Sequence, residues 1–278
     1  MNRVVGEILA DADFSLTQAS AKSPYSIVET VRSDMHLPQG KMQWRACLVN
    51  ALENGHFYLA SQPALDRKGS IVQKEVFVRL KNEHNETIPA GMFMPMALAL
   101  GFGLEIDRAV FKLLVHAANM EKNIPVALNL TAPFFDSHCH ISQEFSNLLT
   151  KFSASPGNLC LETSHAIFNQ HPLMCMQAAD RLRALGHQFG IDNFNLKESL
   201  DILQSIRPSY IKVNANMLID LTQPGMLNAY QALRTLVTTL DIQLIAVGVS
   251  SQKSHDHLLE LGVDVMQGYF LAEPQDLL

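Results

Sequence analysis

Seven polar residues stand within or at the ends of short apolar runs: Glu75 and Arg79 in one run, then Asn129, Glu162, Asp192, Lys212 and Gln267 in five later ones. Glu75, Asn129, Glu162 and Asp192 together offer three carboxylates and an amide oxygen. That is a hard, oxygen-rich donor set suited to Mg2+, Mn2+ or Ca2+. Lys212 adds a cation that can attract a phosphate or activate a water. Any one of these residues, taken alone, reads first as a strand-end group satisfied by loop backbone. Their recurrence on successive runs is what points to a site.

The elements that must position them alternate. Apolar runs at Phe57–Ser61, Val72–Leu80, Pro125–Leu130, Leu159–Glu162, Gln188–Asp192, Tyr210–Val213, Gln243–Val247 and Val265–Tyr269 read as strands. Between them, Ile106–Met120, Pro172–Leu185, Met226–Leu240 and His255–Leu261 carry helical periodicity, and Gly186 and Gly262 supply stop signals. Strands alternating with helices imply a parallel sheet; a closed TIM-like (β/α)8 barrel, whose strand C-termini converge on one face, follows more naturally than an open sheet, though the strand count does not prove closure. Ahead of it lies a short helical extension: Met1–Glu29 has helical character broken at Ser23-Pro24, Ser33–Gly40 reads as a connector, and a helix is expected over Lys41–Asn54. The expected division is therefore 1–40 as extension and linker and 41–278 as barrel.

Composition narrows the partners. Of 278 residues, 47% are hydrophobic and 17% charged, which supports a large core, and the net charge of −6 argues against DNA or any general nucleic-acid partner. Cys47, Cys139, Cys160 and Cys175 form no CxxC pair, which fits a reducing cytoplasm better than a disulfide framework. No run is apolar for long enough to span a bilayer. His138-Cys139-His140 reads as surface histidines, and the alternating Met92, Met94 and Met96 as packing residues.

An ordered series of motifs resembles the EAL-type cyclic di-GMP phosphodiesterases over roughly Leu48 to Pro274. It comprises Gln62-Pro63, Glu75-Val76-Phe77-Val78-Arg79 in place of the signature strand, Pro89 through Pro95 before a helix, Asn129-Leu130-Thr131 and Leu161-Glu162-Thr163. It continues with Asp192-Asn193-Phe194, Ile211-Lys212-Val213-Asn214, Ala246-Val247-Gly248-Val249 and Gln267-Gly268-Tyr269. The resemblance implies a two-metal phosphodiester site. Glu75, Asn129, Glu162 and Asp192 would ligate the first metal, and Lys212 would match the catalytic lysine. At the second metal the pattern departs from the family: Asn193 replaces an aspartate, Val247 a glutamate and Asn214 an aspartate, and the loop after Asp192 lacks its glycine.

Those departures lead us to expect a module that binds cyclic di-GMP with its catalytic apparatus vestigial, Mg2+ or Mn2+ being compatible with binding but not needed for it. The resemblance assigns Arg79 to a ligand phosphate, which its planar fork suits. It places Gln62, Glu75, Phe77, Val78, Asn129, Asp192 and Gln267 along the same cleft, and gives Asp107 to a guanine edge. A helix-terminal carboxylate is the competing reading of Asp107. The Ala12–Glu29 stretch is similar to the end of a GGDEF domain. The nearest branch is that of LapD-type tandem GGDEF–EAL receptors, which implies a homodimer, a cytoplasmic domain of an inner-membrane protein, and control of a periplasmic protease and of adhesion. A CsrD-type interaction scaffold and a slow metal-dependent phosphodiesterase are the alternatives.

Overall fold

The computed structural model describes residues 36–118, 124–136, 149–150, 159–195, 201–223 and 226–277. The expectations placed on residues 1–35 and on His138-Cys139-His140 lie outside them. In chain order the first elements are α1 (Gly40–Asn54), β1 (Phe57–Asp66), β2 (Ile71–Lys81), β3 (Thr87–Pro89), α2 (Ala90–Ala99), α3 (Gly103–Ala118), β4 (Val126–Asn129), α4 (Ala132–Asp136) and β5 (Leu159–Ser164). There follow α5 (His165–Gln170), α6 (Pro172–Ala184), β6 (Gln188–Asp192), α7 (Asp201–Ile206), β7 (Tyr210–Asn214), α8 (Ala215–Asp220), α9 (Leu227–Thr239), β8 (Gln243–Val247), α10 (Gln252–Glu260), β9 (Val265–Gln267) and β10 (Gln275–Asp276). Two compact units emerge, one containing the described residues of 36–59 and 77–113, the other 60–76 and 114–277.

The second unit is the barrel. Strands β4 to β9 pair in parallel with their neighbours in sequence order, β2 pairs with β4, β9 pairs antiparallel with β1, and a β1–β2 pairing closes the ring of eight. Both faces of these strands are covered, so β5 and β7 read as buried runs without polar alternation. The barrel interior is filled rather than open: Ala64, Ala127, Cys160, Tyr210, Ile245 and Val265 form a buried cluster.

Register decides which polar residues share a level. Asn129, Glu162, Gly190 and Tyr210 are successive partners across β4, β5, β6 and β7. Nearer the strand ends, Asn214, Val247 and Gln267 form a second row across β7, β8 and β9. Because side chains alternate along a strand, Gly190 and Asp192 share a face, as do Tyr210 and Lys212.

In the other unit, Trp44, Leu48 and Ala51 bury one side of α1, which stops at Gly55 in the left-handed region (φ 70). Phe57 meets Phe93 of α2 at 5.7 Å between ring centroids. The end of β2 forms a hairpin with β3, turned by Asn82, whose Oδ1 accepts from the backbone N–H groups of His84 and Glu86.

Several details differ from the sequence reading. Strand β1 runs on to Asp66 rather than stopping at Ser61, and it pairs antiparallel with β9 where a parallel sheet was expected. The strand Thr87–Pro89 and the helix directly behind it were not expected; α2 begins at Ala90 and carries Pro95 inside it. With its N–H absent, Pro95 leaves the carbonyl of Gly91 without the usual helical donor, and burial of Phe93, Met96 and Ala97 holds the helix nonetheless. Strand β9 ends at Gln267 instead of Tyr269, because the chain turns at Gly268, whose carbonyl accepts from the N–H groups of Leu271 and Ala272.

Candidate metal centre

Glu75, midway along β2, is held from three sides. Its Oε1 accepts from Asn129 Nδ2 at 2.8 Å, and its Oε2 accepts from Gln267 Nε2 at 2.9 Å and lies 2.7 Å from Lys212 Nζ. Glu162 on β5 is fully buried; the Lys212 ammonium lies 2.7 Å from its Oε1 and donates to its Oε2 at 2.8 Å. The Tyr210 hydroxyl donates to Glu162 Oε1 at 2.6 Å. Gln267 also donates to Gln62 Oε1 at 3.2 Å, and Gln62 in turn donates to the carbonyl of Ala272. Glu75, Glu162 and Asp192 each bring a ligand atom within 4.8 Å of the others.

The electrostatics follow from three carboxylates gathered around one ammonium. Burial pushes Glu162 up to about 8, against the pull of Lys212, with Glu75 and Asp192 adding to the rise. Burial likewise raises Asp192, Lys212 again opposing. Burial also works against the Lys212 charge, but Glu162, Glu75 and Asp192 together hold its pKa above the ordinary lysine value. The 2.7 Å contacts favour a charged Lys212. Burial thus favours a proton on Glu162, which an entering cation would have to displace. Burial raises Tyr210 far above the usual phenol value, so its hydroxyl stays a donor.

This donor set fits a divalent cation of the Mg2+ or Mn2+ class. The oxygens converge, Asn129 turns its NH2 rather than its carbonyl to Glu75, and the buried Oε1 of Gln267 has no partner among the described residues. The residues of the expected second cation position are built differently. Val247 packs against the apolar cluster in the barrel interior. Asn193 sits in the left-handed region (φ 49), a conformation asparagine tolerates, with its Nδ2 3.4 Å from Asp192 Oδ2. Asn214 caps α8 by accepting from the Asn216 N–H.

The structure therefore brings together Gln62, Glu75, Asn129, Glu162, Asp192, Lys212 and Gln267. Phe77, Val78, Arg79 and Asp107 belong to the other unit. There Arg79 donates to the Val78 carbonyl at 3.2 Å and lies over the Phe77 ring, 5.4 Å from its centroid. Asp107 is buried on α3, beyond the first helical turn that Glu105 occupies. Sequence reasoning missed Tyr210 and Gly190. The signal was present, since each lies two residues before a site residue and so on the same strand face.

A family model described as the EAL domain matches residues 45–274. The chain belongs to the EAL domain family. Among curated relatives of this EAL domain, the cyclic di-GMP phosphodiesterase PdeF of Escherichia coli (strain K12) is 26% identical over 83% of this chain and 32% of its own length. The cyclic di-GMP phosphodiesterase RocR of Pseudomonas aeruginosa is 27% identical over 82% of this chain and 60% of its own. The chain thus spans about a third to three fifths of the length of these relatives. Among solved structures, the S helix-GGDEF-EAL portion of Vibrio cholerae LapD bound to c-di-GMP superposes with a TM-score of 0.81 at 23% identity, covering 97% of this chain and 66% of that one. The FimX EAL domain of Pseudomonas aeruginosa bound to c-di-GMP gives 0.68 at 23% identity, covering 84% and 96%. These likenesses establish the EAL fold. No helix among the described residues is long and apolar enough to cross a membrane.

Proposed function

We propose that this EAL domain is a cyclic di-GMP receptor that hydrolyses its ligand poorly or not at all. One contrast carries the reading: Glu75, Glu162, Asp192 and Lys212 form a compact cluster, while Val247, at the expected second-cation position, is a half-buried apolar side chain lying against the apolar cluster of the barrel. A single divalent cation at the cluster would neutralise and orient a phosphate. A second one would find a neutral amide and an isopropyl group where carboxylates are needed. Holding a cyclic dinucleotide requires phosphate and base contacts, and those fall to Arg79 for a phosphate and Asp107 for a guanine edge. Gln62 and Gln267 would line the cleft beside Glu75.

Titration calorimetry with the purified domain is expected to show cyclic di-GMP binding that Arg79→Ala abolishes; an absence of binding at high ligand concentration would refute the receptor reading. The intact Lys212 cluster favours one second reading, a slow metal-dependent phosphodiesterase. Chromatography after an overnight reaction with Mn2+ separates the two, since linear dinucleotide appears only if the domain is an enzyme. Within the receptor reading, the finer assignment is a LapD-type output: residues 1–40 as the remnant of a GGDEF domain, a homodimer, and a membrane-anchored parent that controls a periplasmic protease and adhesion. A crosslinking assay of the domain with and without cyclic di-GMP tests the dimer.

A further inference from the structure

We propose that Tyr210 is a positioning residue for Glu162, and that Gly190 exists at its place in β6 to let the tyrosine reach across. Glu162, Gly190 and Tyr210 are register partners on three adjacent strands, so their side-chain positions lie side by side on one face of the sheet. A tyrosine and a glutamate two strands apart are normally separated by whatever the middle strand presents between them. Here the middle strand presents nothing. A Cβ built on Gly190 would stand 2.4 Å from Cε2 and Cζ of Tyr210 and 2.8 Å from its hydroxyl, so the ring occupies the space a side chain would fill. Gly190 has no left-handed backbone to explain it, and room for the ring is what the glycine supplies.

The ring's reach ends in the 2.6 Å hydrogen bond to Glu162 Oε1. Lys212, two residues on along β7, meets the same carboxylate at 2.7 Å. One strand thus grips Glu162 with a neutral donor and a charged one, which fixes the plane of the carboxylate as well as its location. A carboxylate held this way presents its remaining lone pairs in a set direction, the role that partners behind a metal ligand play. Lys212 by itself, a point charge on a flexible stem, would fix the distance but not the plane.

The inference rests on the reading of the cluster as a divalent cation site, and the experiment separates the two. Mn2+ is titrated into the wild-type domain and Tyr210→Phe by calorimetry, alongside thermal melting and a crystal structure of the variant. Tyr210→Phe keeps the ring over Gly190 and removes only the hydroxyl. The expected result is a Mn2+ dissociation constant raised by about tenfold or more, a Glu162 carboxylate rotated from its wild-type plane, and metal-free binding of cyclic di-GMP changed by less than about twofold. A purely structural tyrosine would shift melting without that selective loss of Mn2+. Unchanged Mn2+ affinity in a folded variant overturns the inference. If the wild type takes up no Mn2+, the cation reading fails, and the crystal structure decides Tyr210 alone: a rotated Glu162 supports positioning and an unmoved one refutes it.

Discussion

Replacing Gly190 with alanine is a one-methyl change whose cost follows from the geometry of β6 and β7. The new Cβ would lie 2.4 Å from two ring carbons of Tyr210, whereas ordinary contact begins near 3.4 Å, so ring and methyl must separate by the 1.0 Å difference. Neither strand can slide, because Gly190 is fixed by ladder pairs to Glu162 on one side and Tyr210 on the other. The ring must therefore swing, and a swing of that size carries the hydroxyl from 2.6 Å to beyond hydrogen-bonding distance of Glu162. Overpacking of this kind costs about 1–3 kcal/mol, and loss of the hydrogen bond about 0.5–1.5 kcal/mol. The expected destabilisation is about 1.5–4.5 kcal/mol, read as a lowered denaturant midpoint at unchanged slope. A double-mutant cycle identifies the cause. Tyr210→Ala alone leaves a cavity, but it also vacates the space that the methyl group added by Gly190→Ala needs, so the double variant should be about 2–3 kcal/mol more stable than the sum of the singles. Gly190→Ala within about 0.5 kcal/mol of wild type, or strict additivity in the cycle, would refute the argument.

Mn2+ affinity should rise with pH, by up to about tenfold per unit below pH 8, because burial holds Glu162 up near 8 and the entering cation must displace a proton. Calorimetry in buffers of different ionisation enthalpy measures that proton, and a pH-independent affinity contradicts it. Asn193→Asp combined with Val247→Glu should create measurable Mn2+-dependent hydrolysis of cyclic di-GMP while lowering stability by about 1–3 kcal/mol, since Val247 packs on the apolar interior. A folded double variant no faster than wild type counts against the second-cation account. Gly268→Ala should lower the melting temperature sharply, because its Cβ would meet the Val249 carbonyl oxygen at 2.1 Å and the Val249 nitrogen at 2.4 Å. Both atoms are committed, the nitrogen to Gln267 and the oxygen to Phe270. Gly91→Ala in α2, with nothing within 4 Å, should instead stabilise by about 0.5–1 kcal/mol.

How much of this was legible varies with the kind of constraint. Strands β6 and β8 were readable residue for residue, because a fully buried parallel strand is a short apolar run bounded by turn signals, and Gln188–Asp192 and Gln243–Val247 are such runs. The α2 helix was not, because Pro95 reads as a breaker, and only the burial of Phe93 and Met96 overrides it. The end of β9 was misjudged for a similar reason. Tyr269 continues the apolar run, but the approach of Gly268 to Val249, which no local pattern encodes, turns the chain first.

The barrel, the family and the chemical types at the site were all written along the chain, because strand-helix alternation and the order of Glu75, Asn129, Glu162, Asp192 and Lys212 are properties of one dimension. So were Val247 and Asn193, at positions where the family resemblance leads one to expect carboxylates. What each group touches was settled in three dimensions: Lys212 bridges Glu75 and Glu162, Val247 lies half-buried against the apolar cluster, and Tyr210 crosses Gly190 to hold Glu162. Those facts depend on register between strands distant in sequence, and register is set by the closing of the whole barrel rather than by any segment of it.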